Sequence, residues 1–135
     1  MCIRDSIEYV MVEGVEPHEM PAHIADVDIV LDQVALGAYG AMAVQALAAG
    51  RVVLAHVTEQ NRARLPEDPP IVEVTPPTVE AVVRGLVADR DAARAVAARG
   101  PAYVDAWHDG RHAAAVLAPW LGVPAPVPPE PSGAA

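Results

Sequence analysis

The run Ala25-Asp26-Val27-Asp28-Ile29-Val30-Leu31-Asp32-Gln33, continued by Val34-Ala35-Leu36-Gly37-Ala38-Tyr39-Gly40 and Ala41-Met42-Ala43-Val44-Gln45-Ala46-Leu47-Ala48-Ala49-Gly50, decides the reading of this chain. Residues 27–31 are almost continuously apolar, the pattern of a parallel strand covered on both faces. Residues 38–49 are small or apolar helix formers, and Gly50 sits where a helix is stopped by a residue at C′. Arg51-Val52-Val53 then opens another β-rich run over 51–57. A strand, a glycine-bearing loop, a helix and a second strand make a βαβ unit.

Upstream, residues 8–14 (Glu-Tyr-Val-Met-Val-Glu-Gly) read as a strand closed by Gly14, and Pro17 opens a helix carrying Met20, Ile24 and Ala25 on one face. Downstream, 58–70 is polar and proline-bearing, hence a loop, and 71–74 is a short extended segment. Thr75 or Thr78 caps a helix whose apolar face is Val79, Val82, Val83, Leu86 and Val87. After Asp89 a second helix carries Ala93, Val96, Ala97 and Val104 as far as His108-Asp109-Gly110, and a last helix covers 111–121. The expected fold is α/β, a Rossmann-like parallel sheet with flanking helices. Residues 7–121 form the domain, and 122–135 are a Pro/Ala-rich tail unable to pack a core. Residues 1–6 fit nothing that follows and read as a non-native leader.

Composition narrows the partners. With 18 acidic and 9 basic residues the chain carries a net charge of −9, which argues against nucleic acid or an anionic membrane surface as a partner. The single cysteine, Cys2, excludes a disulfide framework and a thiolate metal site. No apolar run spans a bilayer and no signal peptide is legible, so a cytoplasmic location is expected.

In open α/β sheets ligands sit outside the carboxyl ends of the strands. The site is therefore expected on residues 32–40, where Asp32 and Gln33 end the strand and Gly37-Ala38-Tyr39-Gly40 leads into the helix. Glycines let the backbone approach a ligand, and the helix start aims free amides and a partial positive charge at it, which suits a diphosphate. A tight strand-to-helix turn explains Gly-Ala-Tyr-Gly equally well.

Taken in order, the Ala-Asp entry at 25–26, the Gly-Ala-Tyr-Gly turn, Gln45-Ala46-Leu47-Ala48-Ala49-Gly50 and Arg51-Val52-Val53 resemble the C-terminal half of group-1 (family 4) glycosyltransferases of GT-B fold. The resemblance extends loosely to Thr75-Pro76 and to residues 103–108. It implies an incomplete C-terminal GT-B domain that binds a nucleotide-diphosphate sugar as donor substrate, with no separate cofactor. A missing N-terminal domain would bind a glycan, lipid or small-molecule acceptor and could place the protein at the inner membrane surface. On matching positions, Gly37, Ala38, Tyr39 and Gly40 supply backbone contacts to diphosphate and sugar. Gly14 and Val15 edge the base, and Gln45 takes the place of the ribose-binding acid. The chain departs from the family where two glutamates are usual, carrying Gly37 and Gln45 instead.

Two other readings stay open: a non-catalytic α/β association module that has lost the donor-site acids, and an unrelated α/β protein with an anion site at a helix start. The four-residue spacing of His108 and His112 is explained by helix ends without a metal, and Glu13, Glu16 and Glu19 by a solvated turn. In the six-strand Rossmann order, a chain starting at the third strand leaves the strand at 8–14 unpartnered and the strand at 27–31 with an open edge.

Overall fold

The computed structural model of the chain describes residues 7–127. Three short strands, β1 (Ile29–Leu31), β2 (Val52–Ala55) and β3 (Ile71–Glu73), form an open parallel sheet in the order β1-β2-β3. The register aligns Val30 with Val53 and Leu54 with Val72. Helices α1 (Met20–Ala25), α2 (Ala41–Ala48) and α6 (Gly100–Trp107) contribute to one face. Helices α4 (Val79–Ala88) and α5 (Arg90–Ala98) cover the other. A short α3 (Glu59–Arg62) follows β2, and α7 (Arg111–Leu121) packs on α6.

The central strand explains why two layers of helix are needed. Every residue of β2 is buried, and alternate side chains serve opposite cores. Val53 and Ala55 pack with Ala43, Ala46, Leu47 and Tyr103, whereas Val52 and Leu54 pack with Val74, Val82, Leu86 and Ala97. Leu47 and Leu54 are almost wholly enclosed, so truncating either to alanine costs about 2–5 kcal/mol. Helix α2 ends as its sequence dictates. Gly50 takes φ +67, its amide bonds the Leu47 carbonyl at 3.0 Å, and the Arg51 amide bonds the Ala46 carbonyl at 2.9 Å. That pair of bonds is the Schellman arrangement.

Four expectations are corrected. Residues 8–14 form no strand: nothing among the described residues pairs with them, and Tyr9, Val10 and Met11 lie exposed. Backbone groups without a ladder partner are left to solvent, so β propensity alone does not make a strand there. The strand at 27–31 shortens to β1, whose residues are half-buried or exposed because it is the sheet edge. The loop at 58–70 contains α3, capped by the Thr58 hydroxyl, which accepts from the Asn61 amide at 3.3 Å. Finally, the single helix expected after Asp89 is two. It breaks before Gly100-Pro101, because Pro101 lacks an amide and starts α6, and because Gly100 lies against Leu47 so closely that a Cβ would run into the Leu47 carbonyl. The last helix matches its expected bounds.

Candidate functional site

At the carboxyl end of β1 the chain makes the loop 32–40. Its conformation is fixed at two points. The Asp32 carboxylate accepts the Gly40 amide at 2.8 Å through Oδ2, bridging the loop from first residue to last. Gly37 is buried with φ +73, and a Cβ there would stand 2.7 Å from Cγ2 of Thr58. Its carbonyl accepts the Thr58 amide at 3.0 Å and the Asn61 side-chain amide at 2.8 Å. Gly37 is therefore required by the docking of this loop on the next one, whatever else the loop does. The helix begins at Ala41 rather than at 38, since residues 38–40 are held in the loop. Gly40 is the N-cap of α2 and no side chain caps the helix, so its first-turn amides have no capping partner; Ala41 is exposed, Met42 half-buried and Ala43 enclosed.

Tyr39 turns away from that opening. Its ring packs against the first core, and its hydroxyl lies 3.0 Å from the Tyr103 hydroxyl and 3.0 Å from Nε2 of His108. Burial, then the bond to Tyr39, raises the Tyr103 phenol well above its ordinary value. Burial, then repulsion from His112, lowers the His108 imidazole below 6.5. Tyr39 thus offers only its backbone to a ligand while tying the loop to α6. Ala38 is exposed beside it. Gln33 is exposed too, and its carbonyl accepts the His56 amide at 2.8 Å.

The structure brings Asp32, Gln33, Gly37, Ala38, Tyr39 and Gly40 together. Gln45 stands on α2 opposite the buried Ala43, Ala46 and Leu47 and faces solvent. Gly14 takes φ +66 in open space, and no hydrogen bond among the described residues ties it or Val15 to the loop.

Beside the loop lies a cluster that the sequence reading did not single out. His56, the first residue beyond β2, bonds Oε1 of Glu73 through Nδ1 at 2.5 Å. The other carboxylate oxygen of Glu73 accepts the Val57 amide at 3.0 Å and Nη2 of Arg62 at 3.2 Å. Arg62 also holds Asp68 at 2.7 Å and the Ile71 carbonyl at 3.3 Å. Burial alone would raise the Glu73 carboxyl, but the bonds from His56, Val57 and Arg62 outweigh it and leave the group below 4.5. The available signal was the one applied to Asp32: a polar residue directly after a buried strand faces the ligand side of the sheet.

The remaining constellations have local roles. His108 caps the end of α6, the Asp109 carboxylate accepts the Arg111 amide at 2.9 Å, and His112 meets the Trp107 ring edge-on at 5.2 Å. Among the described residues no three His, Cys, Asp or Glu side chains are grouped to hold a metal ion. Glu19 bonds the Glu16 amide in a solvated turn. No helix among the described residues is long and apolar enough to cross a membrane. No family model, no curated protein and no solved structure matches this chain.

Proposed function

We propose that this chain is the donor-binding half of a glycosyltransferase, holding the diphosphate of a nucleotide sugar at the start of α2. One observation carries the reading: a glycine-bearing loop at the carboxyl end of a parallel strand opens onto an uncapped helix of eight residues. Backbone amides and the helix dipole supply the attraction that a chain of net charge −9 does not supply by its overall field. Asp32 occupies the Gly40 amide and lies beside the path of any phosphate, so the contacts fall to the open start of the helix, Ala41 and Met42, and to Ala38. The resemblance described above adds the sugar and the second domain. Transfer would take place only in a cleft closed by that domain, where water is kept from the reacting centre. The 135-residue chain alone is accordingly expected to bind donor without transferring sugar.

Isothermal calorimetry of the chain against UDP, GDP, ADP and TDP tests this. Saturable binding of at least one is the expected outcome, and absence of binding to all four would sink the reading.

The association-module reading is favoured by a different observation. Val116, Leu117, Trp120 and Leu121 lie exposed within six residues of α7, as do Tyr9, Val10 and Met11 near the start of the described chain, and apolar side chains grouped in this way can serve association. That reading predicts self-association by sedimentation with no nucleotide dependence.

A further inference from the structure

We propose that His56 is a ligand-binding residue, presenting Nε2 as a hydrogen-bond acceptor to a hydroxyl group of the nucleotide-diphosphate sugar at the carboxyl ends of β1 and β2. The inference rests on the donor-binding reading and adds to it a residue outside the loop 32–40.

The geometry begins with Glu73. Three donors converge on its carboxylate, from His56, from the Val57 amide and from Arg62, and Arg62 is itself fixed by Asp68 and by the Ile71 carbonyl. A carboxylate so loaded accepts and does not donate. The Nδ1 atom of His56 therefore carries the hydrogen, and in the neutral ring the lone pair stands on Nε2. That atom has no hydrogen-bond partner among the described residues, and the side chain is 29% exposed.

Placement follows from the backbone. The His56 amide bonds the Gln33 carbonyl at the start of the loop, and Thr58, two residues further on, braces Gly37 in its middle, so residue 56 stands beside the loop where it leaves β1. The chemistry is complementary. The start of α2 offers only donors, suited to phosphate oxygens, and the carboxylate of the loop, Asp32, is engaged by the Gly40 amide. Sugar and ribose hydroxyls need acceptors, and His56 provides one in a fixed orientation. Ion pairs on a half-exposed rim contribute little to stability, so the chain from Asp68 through Arg62 to Glu73 serves mainly to orient the ring.

The test is long-range nitrogen-15 NMR of the His56 ring in the whole chain, with amide spectra recorded in parallel, on titration with UDP-glucose, GDP-mannose, ADP-glucose and TDP-glucose. The free chain should show the Nδ1–H tautomer. At least one sugar nucleotide should shift Nε2 together with the amides of 38–43, and His56→Asn, which keeps a donor for Glu73, should weaken binding roughly tenfold. A ring with a hydrogen on Nε2, as the other tautomer or as the doubly protonated cation, an Nε2 signal unmoved while those amides respond, or wild-type affinity in His56→Asn would overturn the role of His56 and leave the donor-binding reading standing. If none of the four moves any amide, the donor-binding reading falls and this inference with it. Should His56→Asn not fold, the wild-type ring shifts decide alone.

Discussion

The loop 32–40 satisfies its polar groups locally, from Asp32 to Gly40 and from Gly37 to the backbone and side chains just beyond β2. The corner next to it, residues 56–73, is assembled from side chains on separate elements: His56 after β2, Arg62 on α3, Asp68 before β3 and Glu73 at its end. Both lie at the carboxyl ends of the strands. The first is a backbone device that depends on which positions lack a side chain, and the second depends on which side chains meet. Anion recognition by amides belongs to the first kind, recognition of hydroxyl groups to the second.

Gly37 joins the two regions, and its substitution should have the largest effect. Replacing it with alanine puts a Cβ on a left-handed residue and against Thr58, so unfolding in urea should show a loss of about 2–3 kcal/mol. It should also disturb the corner, since Thr58 caps α3. A loss under 0.5 kcal/mol would mean that the two regions are not docked as described.

Asp32→Ala should separate stability from binding. The Gly40 amide loses its partner, at about 1 kcal/mol by analogy with a helix cap, while phosphate affinity rises because a negative charge leaves the site. Thermal melts and calorimetry with UDP or GDP read the two effects, and a fall in both would place the phosphate elsewhere.

Gln45→Glu is expected to leave stability unchanged, because the residue faces solvent on α2. If residue 45 reaches the ribose, a charged acceptor strengthens nucleotide binding by about 1 kcal/mol. No change would place residue 45 outside the ribose contacts.

The smallest effect is on pH. Glu73 is lowered in the folded state, so its contribution is full above 4.5 and is lost as pH falls through the folded value. His108 is also lowered: the unfolded chain takes up the proton first, and stability declines as pH drops below 6.5. Urea midpoints against pH should show two steps. Glu73→Gln should diminish only the more acidic one, to which Asp109 also contributes, and the change is modest because the carboxylate is partly solvated.

The α/β class, the three parallel segments and the final helix were legible because their signals are local: apolar runs, an alanine-rich helix, a glycine at C′. The loop 32–40 was legible for the same reason. The strand expected at 8–14 was not, since a strand exists only with a partner and its residues carry propensity without one. The break before Gly100 depends on the approach of α6 to Leu47, a contact 53 residues away in the chain. Likewise Glu73 and His56 are 17 residues apart, and Tyr39 and Tyr103 are 64 apart. No spacing rule links such pairs until the sheet order is known. Gln45 illustrates the opposite case, a residue singled out by sequence whose side chain the structure leaves in solvent with no hydrogen-bond partner among the described residues.

Donor binding at the start of α2 is tested most directly by an amide NMR titration of the 135-residue chain with UDP, GDP, ADP and TDP. At least one of them should shift the amides of residues 38–43 saturably, while those in the last turns of α2 and α5 stay in place. Shifts spread evenly over the surface, or none up to millimolar nucleotide, would contradict it.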